Sequence, residues 1–463
     1  MNRLVPIVVG TALFMENTDS TILATALPTI AGDLGLDPIA LKLAITSYLV
    51  SLAVFIPVSG WVADRVGACT TFRVALCLFM AASIGCAFSG SLTQFVFWRF
   101  VQGIGGAMMA PVGRMVVVRT VAKNDLVSAL AFISMPALIG PMLGPPIGGF
   151  IVTYADWRWI FFINIPIGII SVILATLYLP EIKEERGRLD VIGFVLTAVG
   201  FGGLMLGTAM VGRRIAPPEV AVLCIVGGLG ALLLYVRHAR VTPRPLLDLK
   251  LLRLTTFEAG ITGSLFFRFG VGASAFLLPL MLQLAFGLDA LHSGLITFAG
   301  AMGALSVKPF ARPILRLTGF RSLLLINGVL ASLTLAAYGF FTSETPHALI
   351  IALLLVSGFL RSLQFTSFQA ITYADVAPAE VSSATSIASV AQQVSISLGV
   401  AIGAFVLEAS EALNGHLNPQ TSDFAVAFFV VGFLSMVSVV MMWRLPADAG
   451  AAIAGRSVPA TRT

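Results

Sequence analysis

Long apolar runs, separated by short polar stretches, follow one another through almost the whole chain. A membrane-crossing helix needs roughly 20 predominantly apolar residues. Fourteen segments meet that requirement: 6–28, 43–63, 71–90, 93–118, 127–152, 159–179, 190–210, 219–236, 256–284, 291–310, 322–341, 348–373, 381–407 and 424–443. The pattern predicts an all-α polytopic membrane protein, with tilt or bending in the longest segments. The first run is long enough to span and is expected to stay in the chain, since nothing around it reads as a cleavable signal.

Composition agrees. Hydrophobic residues make up 58% of the 463 positions and charged residues 11%, against about 25% charged in an ordinary soluble domain; the mean hydropathy is +0.97. Cys69, Cys77, Cys86 and Cys224 form neither a CxxC pair nor a spaced framework, so neither disulfides nor zinc are expected to organise the fold. The four histidines stand near the ends of apolar segments. No cofactor or metal is implied.

The net charge of +6 bears first on topology. With the N-terminus in the cytoplasm, 19 of the 28 Lys and Arg fall on cytoplasmic segments and 4 (Lys42, Arg158, Arg213 and Arg214) on outer ones. That asymmetry predicts two cytoplasmic termini, and it accounts for the basic charge without a nucleic-acid partner. The remaining five, Arg99, Arg114, Arg268, Lys308 and Arg361, lie inside predicted spans.

The chain also repeats itself. VQGIGGAMMA (101–110) aligns with VSGFLRSLQF (356–365) at an offset of 255, and the register continues without a gap through VAKNDLVSA on VAPAEVSSA and MLGPPIGGF on SLGVAIGAF. Gly103, Gly144 and Gly148 then meet Gly358, Gly399 and Gly403. Both copies run in the same direction, as in bundles that face each other across a central cavity. The expected organisation is a six-helix bundle (1–180), two inserted helices with charged connectors (181–254), a second six-helix bundle (255–445) and a cytoplasmic tail (446–463).

Against this apolar background a few polar residues stand out. FMENTDSTIL (14–23) places Glu16 and Asp19 three residues apart, on one helix face. RFVQGIGGA (99–107) opens the fourth span with Arg99. Asp19 and Arg99 each lie roughly 10–14 Å below the outer surface at ~1.5 Å per residue. An unpaired charge at such depth costs ~2.5–3.5 kcal/mol on insertion scales and more by other estimates, which favours pairing. GWVADRVG (60–67) ends the second span; Gly60 and Ala63 permit close helix approach, and Asp64 can meet a helix N-terminus or an Arg across an interface. GPMLGPPIGG (140–149) sets Gly140, Gly144 and Gly148 at i, i+4 and i+8 as a smooth ridge, with a bend expected at Pro145 and Pro146. Arg268, deep in its segment, is less able to reach the interface than Lys308 or Arg361, for which snorkelling is an open alternative. Gln364, Gln392 and Gln393 either line a cavity or bond between helices.

TDSTILATALP (18–28), GWVADRVG, RFVQGIGGA, GPMLGPPIGG and WRWIFFINIPIG (157–168) occur in that order. Together they resemble the major facilitator superfamily in its fourteen-span drug:proton antiporter branch, the EmrB/QacA type, up to about residue 445. The resemblance implies the major facilitator fold with two extra helices. It implies that Asp19 is the coupling carboxylate, that Arg99 is linked to proton transfer, and that Gly60, Asp64, Arg65 and Gly67 form a cytoplasmic gating motif. Gly140, Gly144, Pro145, Gly148 and Gly149 would form the antiporter motif, and Trp157, Asn164 and Pro166 mark the branch. Two features depart from the pattern. Ala68 and Cys69 follow Gly67 where the family has a basic pair, which predicts weaker charge locking. Glu16 is not required by the motif and is expected to be an accessory acid. Arg114, Arg268, Lys308, Arg361, Gln364, Gln392 and Gln393 are the other candidate cavity residues.

The functional expectation is a proton-coupled secondary transporter in the cell (inner) membrane, exporting drugs or other small amphipathic or cationic compounds by alternating access. Its partners would be the substrate, protons and the lipid bilayer. A single chain is the expected working unit, with accessory envelope proteins as candidate partners. A transporter of the same fold for a metabolite, with an anionic one favoured by the cation-rich second half, is the alternative. The chain lacks GxxxxGK[ST], HExxH and any intramembrane His, which argues against an ATP-driven pump or a membrane-embedded enzyme.

Overall fold

The structure, a computed structural model, describes residues 4–34, 38–122, 125–184, 188–210, 217–243, 245–288, 290–416 and 419–454. Of the basic residues used to infer topology, Arg3, Lys123, Arg186, Arg213, Arg214, Arg244, Arg456 and Arg462 lie outside them, as do the side chains of Lys42 and Pro145. The described residues are helical, with no strand among them. This is what a lipid environment demands, because a helix satisfies its own backbone donors and acceptors where no water is available. In order the helices are α1 (Leu4–Asp33), α2 (Pro38–Val66), α3 (Ala68–Ala87), α4 (Leu92–Thr120), α5 (Leu126–Tyr154), α6 (Trp159–Phe162), α7 (Asn164–Tyr178), α8 (Val191–Met210) and α9 (Pro218–Val241). They continue with α10 (Thr255–Leu280), α11 (Ala290–Ser306), α12 (Ala311–Thr318), α13 (Phe320–Ala337), α14 (His347–Thr372), α15 (Val381–Asn414), α16 (Thr421–Met442) and α17 (Ala451–Ala454).

Among the described residues, 11 helices are long and apolar enough to cross a membrane, and up to 12 if the pair bent by 60° between His292–Ser306 and Ala311–Thr318 is one span. α6 and α7 together form one of the eleven, Trp159–Tyr178. The outward faces are apolar, as lipid contact requires: Leu223, Leu233, Phe405, Phe433 and Trp443 are all exposed. This is a multi-pass membrane protein.

The repeat is visible in three dimensions. α4 begins at Leu92 and α14 at His347, and α5 begins at Leu126 and α15 at Val381, so both pairs keep the offset of 255 seen in the sequence. The packing repeats as well. α1 lies against α5 as α10 lies against α15, and α2 against α4 as α11 against α14. Glycines make these approaches possible. A Cβ on Gly103 would strike the Tyr48 carbonyl of α2 at 2.7 Å, and one on Gly358 would strike the Gly300 carbonyl of α11. Between membrane helices, where apolar burial drives little association, such close packing is the main cohesive force.

α8 and α9 pack on each other, and α8 also touches α2 and α15, one helix from each half. The final residues do not hang free of the bundle as far as Ala454: Ile453 and Ala454 are buried, and α17 touches α5 and α12.

Candidate functional site

Asp19 and Arg99 meet inside the first half. Arg99 Nη1 donates to Asp19 Oδ2 at 2.6 Å, and both side chains are almost fully enclosed. The pair belongs to a hydrogen-bonded network. Asn164 Nδ2 donates to Asp19 Oδ1 at 2.7 Å and Gln102 Nε2 donates to the same oxygen at 3.1 Å. Gln102 Oε1 accepts from Arg99 Nη1 at 2.6 Å, and Ser83 Oγ accepts from both Gln102 and Asn164 at 2.8 and 3.2 Å. The Arg99 guanidinium also stacks over the Tyr48 ring, 4.7 Å from its centroid. Five helices contribute: α1, α2, α3, α4 and α7. A buried ion pair needs such partners, since each charge gives up water that only directed hydrogen bonds replace; Arg99 Nε and Asn164 Oδ1 are buried without one among the described residues. Asn164 enters the sequence pattern only as a marker of WRWIFFINIPIG. Gln102, Ser83 and Tyr48 were not foreseen. Gln102 had one usable signal, its place three residues after Arg99 on the same helix face; Ser83 and Tyr48 had none.

Glu16, one turn earlier on α1, is in a different environment. It is half-buried; its Oε1 accepts from the Tyr48 hydroxyl at 3.5 Å, and its Oε2 has no hydrogen-bond partner among the described residues. Gly106 of α4 leaves room for it, since a Cβ there would come within 3.4 Å of Oε1. The spacing that put the two acids on one face therefore places one in a locked network and the other beside it, incompletely bonded.

The glycine ridge of α5 faces α1. A Cβ on Gly140 would meet Thr18 Oγ1 at 2.8 Å, and one on Gly144 would collide with Thr21. These threonines flank Asp19, so the ridge sets how closely α5 approaches the helix that carries the acid. Gly148 is buried, whereas a Cβ on Gly149 would meet nothing within 4 Å. The helix runs unbroken through positions 145 and 146. The described contacts of Gly140 and Gly144 lie within the first half.

At the other end of α2, Arg119 Nη1 of α4 donates to Asp64 Oδ1 at 3.0 Å and Arg119 Nη2 lies 3.0 Å from Glu184 Oε1. The basic partner of Asp64 thus comes from its own half. Residues 181–184 wrap under this turn: the Glu184 amide donates to the Asp64 carbonyl at 3.0 Å, and Glu181 accepts from the Cys69 and Thr70 amides at 3.1 and 3.2 Å. A carboxylate on those free amides complements the positive end of α3. Gly67 makes the turn at φ 113, a conformation that other residues rarely adopt. Gly60 is the approach point for the second half. A Cβ there would meet Ser382 Oγ at 2.6 Å and Ser386 Oγ at 2.8 Å, both on α15. Arg65 is exposed and has interactions of its own at this end.

The profile of the Major Facilitator Superfamily matches residues 9–399, with a second match over 260–461. The chain belongs to the major facilitator superfamily. A protein of Escherichia coli O6:H1 named "Putative multidrug resistance protein MdtD" is 36% identical over 438 residues, covering 94% of this chain and 92% of its own length. Its namesake in Shigella boydii serotype 18 is 35% identical over the same coverage. Among solved structures, the human organic anion transporter MFSD10 superposes with a TM-score of 0.67 at 15% identity, over 95% of this chain and 99% of that one. The proton:xylose symporter XylE superposes with a TM-score of 0.66 at 15% identity, over 96% of each chain. These two likenesses concern the fold. The superfamily chain is a membrane transporter, acting on small molecules within a bilayer.

The remaining polar candidates of this transporter divide by location. Arg114 of α4 joins the halves: Nη1 donates to Ser389 Oγ at 3.3 Å and Nη2 to Gln392 Oε1 at 3.0 Å, both on α15. Gln393, beside Gln392, is half-buried. Gln364 has no exposed surface. It accepts from Asn327 at 2.7 Å and donates to the Leu324 carbonyl at 3.0 Å, which makes it a bond between α13 and α14 rather than a cavity wall. Arg361 of α14 opens on a small cavity inside the second half with Ser274, Tyr338, Ser357 and Ser435. Lys308 stands at the bend between α11 and α12, and its Nζ is buried with no hydrogen-bond partner among the described residues. Arg268, on α10, is 5% exposed and lies over the Phe365 ring.

Proposed function

We propose that this transporter is a proton-coupled exporter of small amphipathic molecules, of the fourteen-span drug:proton antiporter kind. The observation that carries the reading is the enclosed Arg99–Asp19 pair. A proton on Asp19 Oδ2 would turn an acceptor into a donor facing Arg99 Nη1 at 2.6 Å. Holding the proton and holding the Arg are therefore alternatives, and two alternative states of one buried acid are what exchange needs. The multidrug resistance name of its relatives supports export of drugs. The gating role of Gly60, Asp64, Arg65 and Gly67, and the antiporter role of the α5 glycines, belong to the same proposal.

The span count extends to fourteen when α1 and α5, of 30 and 29 residues, are added to the twelve. Two six-helix halves at 1–180 and 255–445 then flank α8 and α9. With both termini in the cytoplasm, the contacts of Gly60 with α15 and of Arg312 with Asp125 at 3.2 Å hold the cytoplasmic ends of the two halves together, and the Asp248 amide, donating to Ser383 at 3.0 Å, ties the connector after α9 to the second half. The single chain would suffice in the inner membrane, with any accessory envelope protein acting downstream of it.

Purified protein in sealed proteoliposomes provides the test. An imposed pH gradient should drive accumulation of a labelled amphipathic probe, and a protonophore should abolish it. Accumulation indifferent to the gradient would remove proton coupling. Orientation is checked separately: a reporter fused after Thr463 should be active in the cytoplasm, and activity on the outer side would overturn the assignment.

A further inference from the structure

Arg268 has no task in the exchange just described, and its surroundings do not explain it. It lies 5% exposed on α10, with its guanidinium 4.3 Å from the Phe365 ring centroid on α14. Among the described residues its Nη1 is buried without a hydrogen-bond partner. Among the described residues, the charges that act on it are those of Arg114, from the other half, and Tyr373. Tyr373 also lies within range of Arg114. Arg361 stands one turn before Phe365 on α14 and so shares its face. The acid within range of Arg114 is Glu16.

Two facts need a common cause. A buried donor left without an acceptor is uncommon and calls for an explanation, and two like charges in a weakly polar interior repel each other strongly. A stacked aromatic ring offsets part of the cost of Arg268, but it supplies no acceptor for Nη1 and does nothing about Arg114. An anionic group between the two would do both.

We propose that Arg268 binds an organic anion, a small amphipathic carboxylate whose carboxylate accepts from Arg268 Nη1 and whose apolar body lies along Phe365. The proposal rests on the transporter reading and narrows its cargo from small amphipathic molecules to anionic ones. A guanidinium suits a carboxylate because its donors are planar and fixed. The site also links cargo to movement. Arg114 sits on α4 and Arg268 on α10, so a bound anion screens a repulsion that acts across the interface between the halves. Occupancy favours the halves together, and release favours their separation.

The experiment uses the full-length protein in nanodiscs and proteoliposomes, with labelled p-aminohippurate as probe. Saturable binding is expected, displaced by unlabelled 2,4-dichlorophenoxyacetate and not by tetraphenylphosphonium. That competition needs no variant. Arg268→Gln should weaken binding by at least about tenfold, as losing one member of a buried charge pair does, and Arg268→Lys should recover part of it, which a purely packing role would not produce. Binding of p-aminohippurate to Arg268→Gln with wild-type affinity overturns the site. So does a wild-type protein that takes up tetraphenylphosphonium under a pH gradient yet neither binds nor moves p-aminohippurate; that result leaves the transporter reading intact. Binding of p-aminohippurate that no imposed gradient converts into movement supports the anion site and removes the proton-coupled reading instead.

Discussion

Asp19→Asn should lower the initial rate of accumulation driven by a pH gradient by ~100-fold or more, equivalent to about 2.7 kcal/mol in the barrier, while substrate binding persists. The argument begins from the network. Asp19 accepts three hydrogen bonds, from Arg99, Gln102 and Asn164. An Asn in its place retains one acceptor oxygen, which Gln102 and Asn164 can share, but turns an amide donor toward Arg99. The guanidinium is then buried with no counter-ion, and breaking a buried pair from one side costs ~3–5 kcal/mol. The favoured escape is rotation of Arg99 away from the site, the state that protonation of Asp19 is proposed to produce in the native cycle. The variant is held in one half of that cycle. It should exchange substrate down its own gradient and fail to concentrate it. Glu16→Gln should act differently. Glu16 has a single long bond, to Tyr48, so its loss disturbs no network and should change which substrates are moved rather than whether the gradient drives them. The measurement is uptake into vesicles with an imposed pH gradient, alongside equilibrium binding. Wild-type accumulation by Asp19→Asn would show that the acid merely holds α1 to α4.

Gly144→Leu should leave the protein in the membrane and reduce transport to background. A Cβ alone at this position would collide with the Thr21 side chain, and the backbone amide of Ile22 would lie 3.2 Å away. Over-packing a tight contact costs ~1–3 kcal/mol when neighbours can shift. Here they include backbone, so α1 and α5 must move apart. Fourteen proposed spans and their lipid contacts are unaffected, and insertion should proceed normally. What changes is the position of Thr18 and Thr21, and with them Asp19, relative to Asn164, Gln102 and Arg99. Hydrogen bonds of 2.6–3.1 Å tolerate little displacement. Gly227→Leu on α9 is the control, because a Cβ there meets nothing within 4 Å. Membrane fractionation and vesicle uptake decide the matter: near-native uptake by the Gly144→Leu protein would separate the glycine ridge from the mechanism.

The two readings of the second half show how far a pattern of residues goes. Arg268, Lys308 and Arg361 were visible as three cations in apolar segments, and the linear sequence separated Arg268 from the other two only by its depth in its segment. Their surroundings differ. Arg268 is stacked on Phe365 with Arg114 nearby, Arg361 opens on a polar cavity, and Lys308 stands at a bend. Gln364, grouped with Gln392 and Gln393 by composition, is consumed by a bond to Asn327, whereas Gln392 reaches Arg114 across the halves. None of these distinctions is local to a helix, so none is written in helical spacing.

The sequence by itself determined the class of the fold. Apolar length sets the helices, because in lipid only a continuous run can bury its side chains while its backbone bonds itself. It also carried the repeat, since α4 with α14 and α5 with α15 start at the offset read from the residues, and it singled out Asp19 and Arg99, since charges that cost so much in a membrane are kept there for a reason. Tertiary structure alone decided which partners complete them. Ser83, Gln102 and Asn164 gather around Asp19 from three helices, Arg119 of α4 comes to Asp64, and Gly140 and Gly144 of α5 turn to α1. The physical reason is common to all three. Periodicity fixes the face on which a residue lies, but the neighbour on that face is chosen by how whole helices pack, through close approaches that depend on shape across segments far apart in the chain.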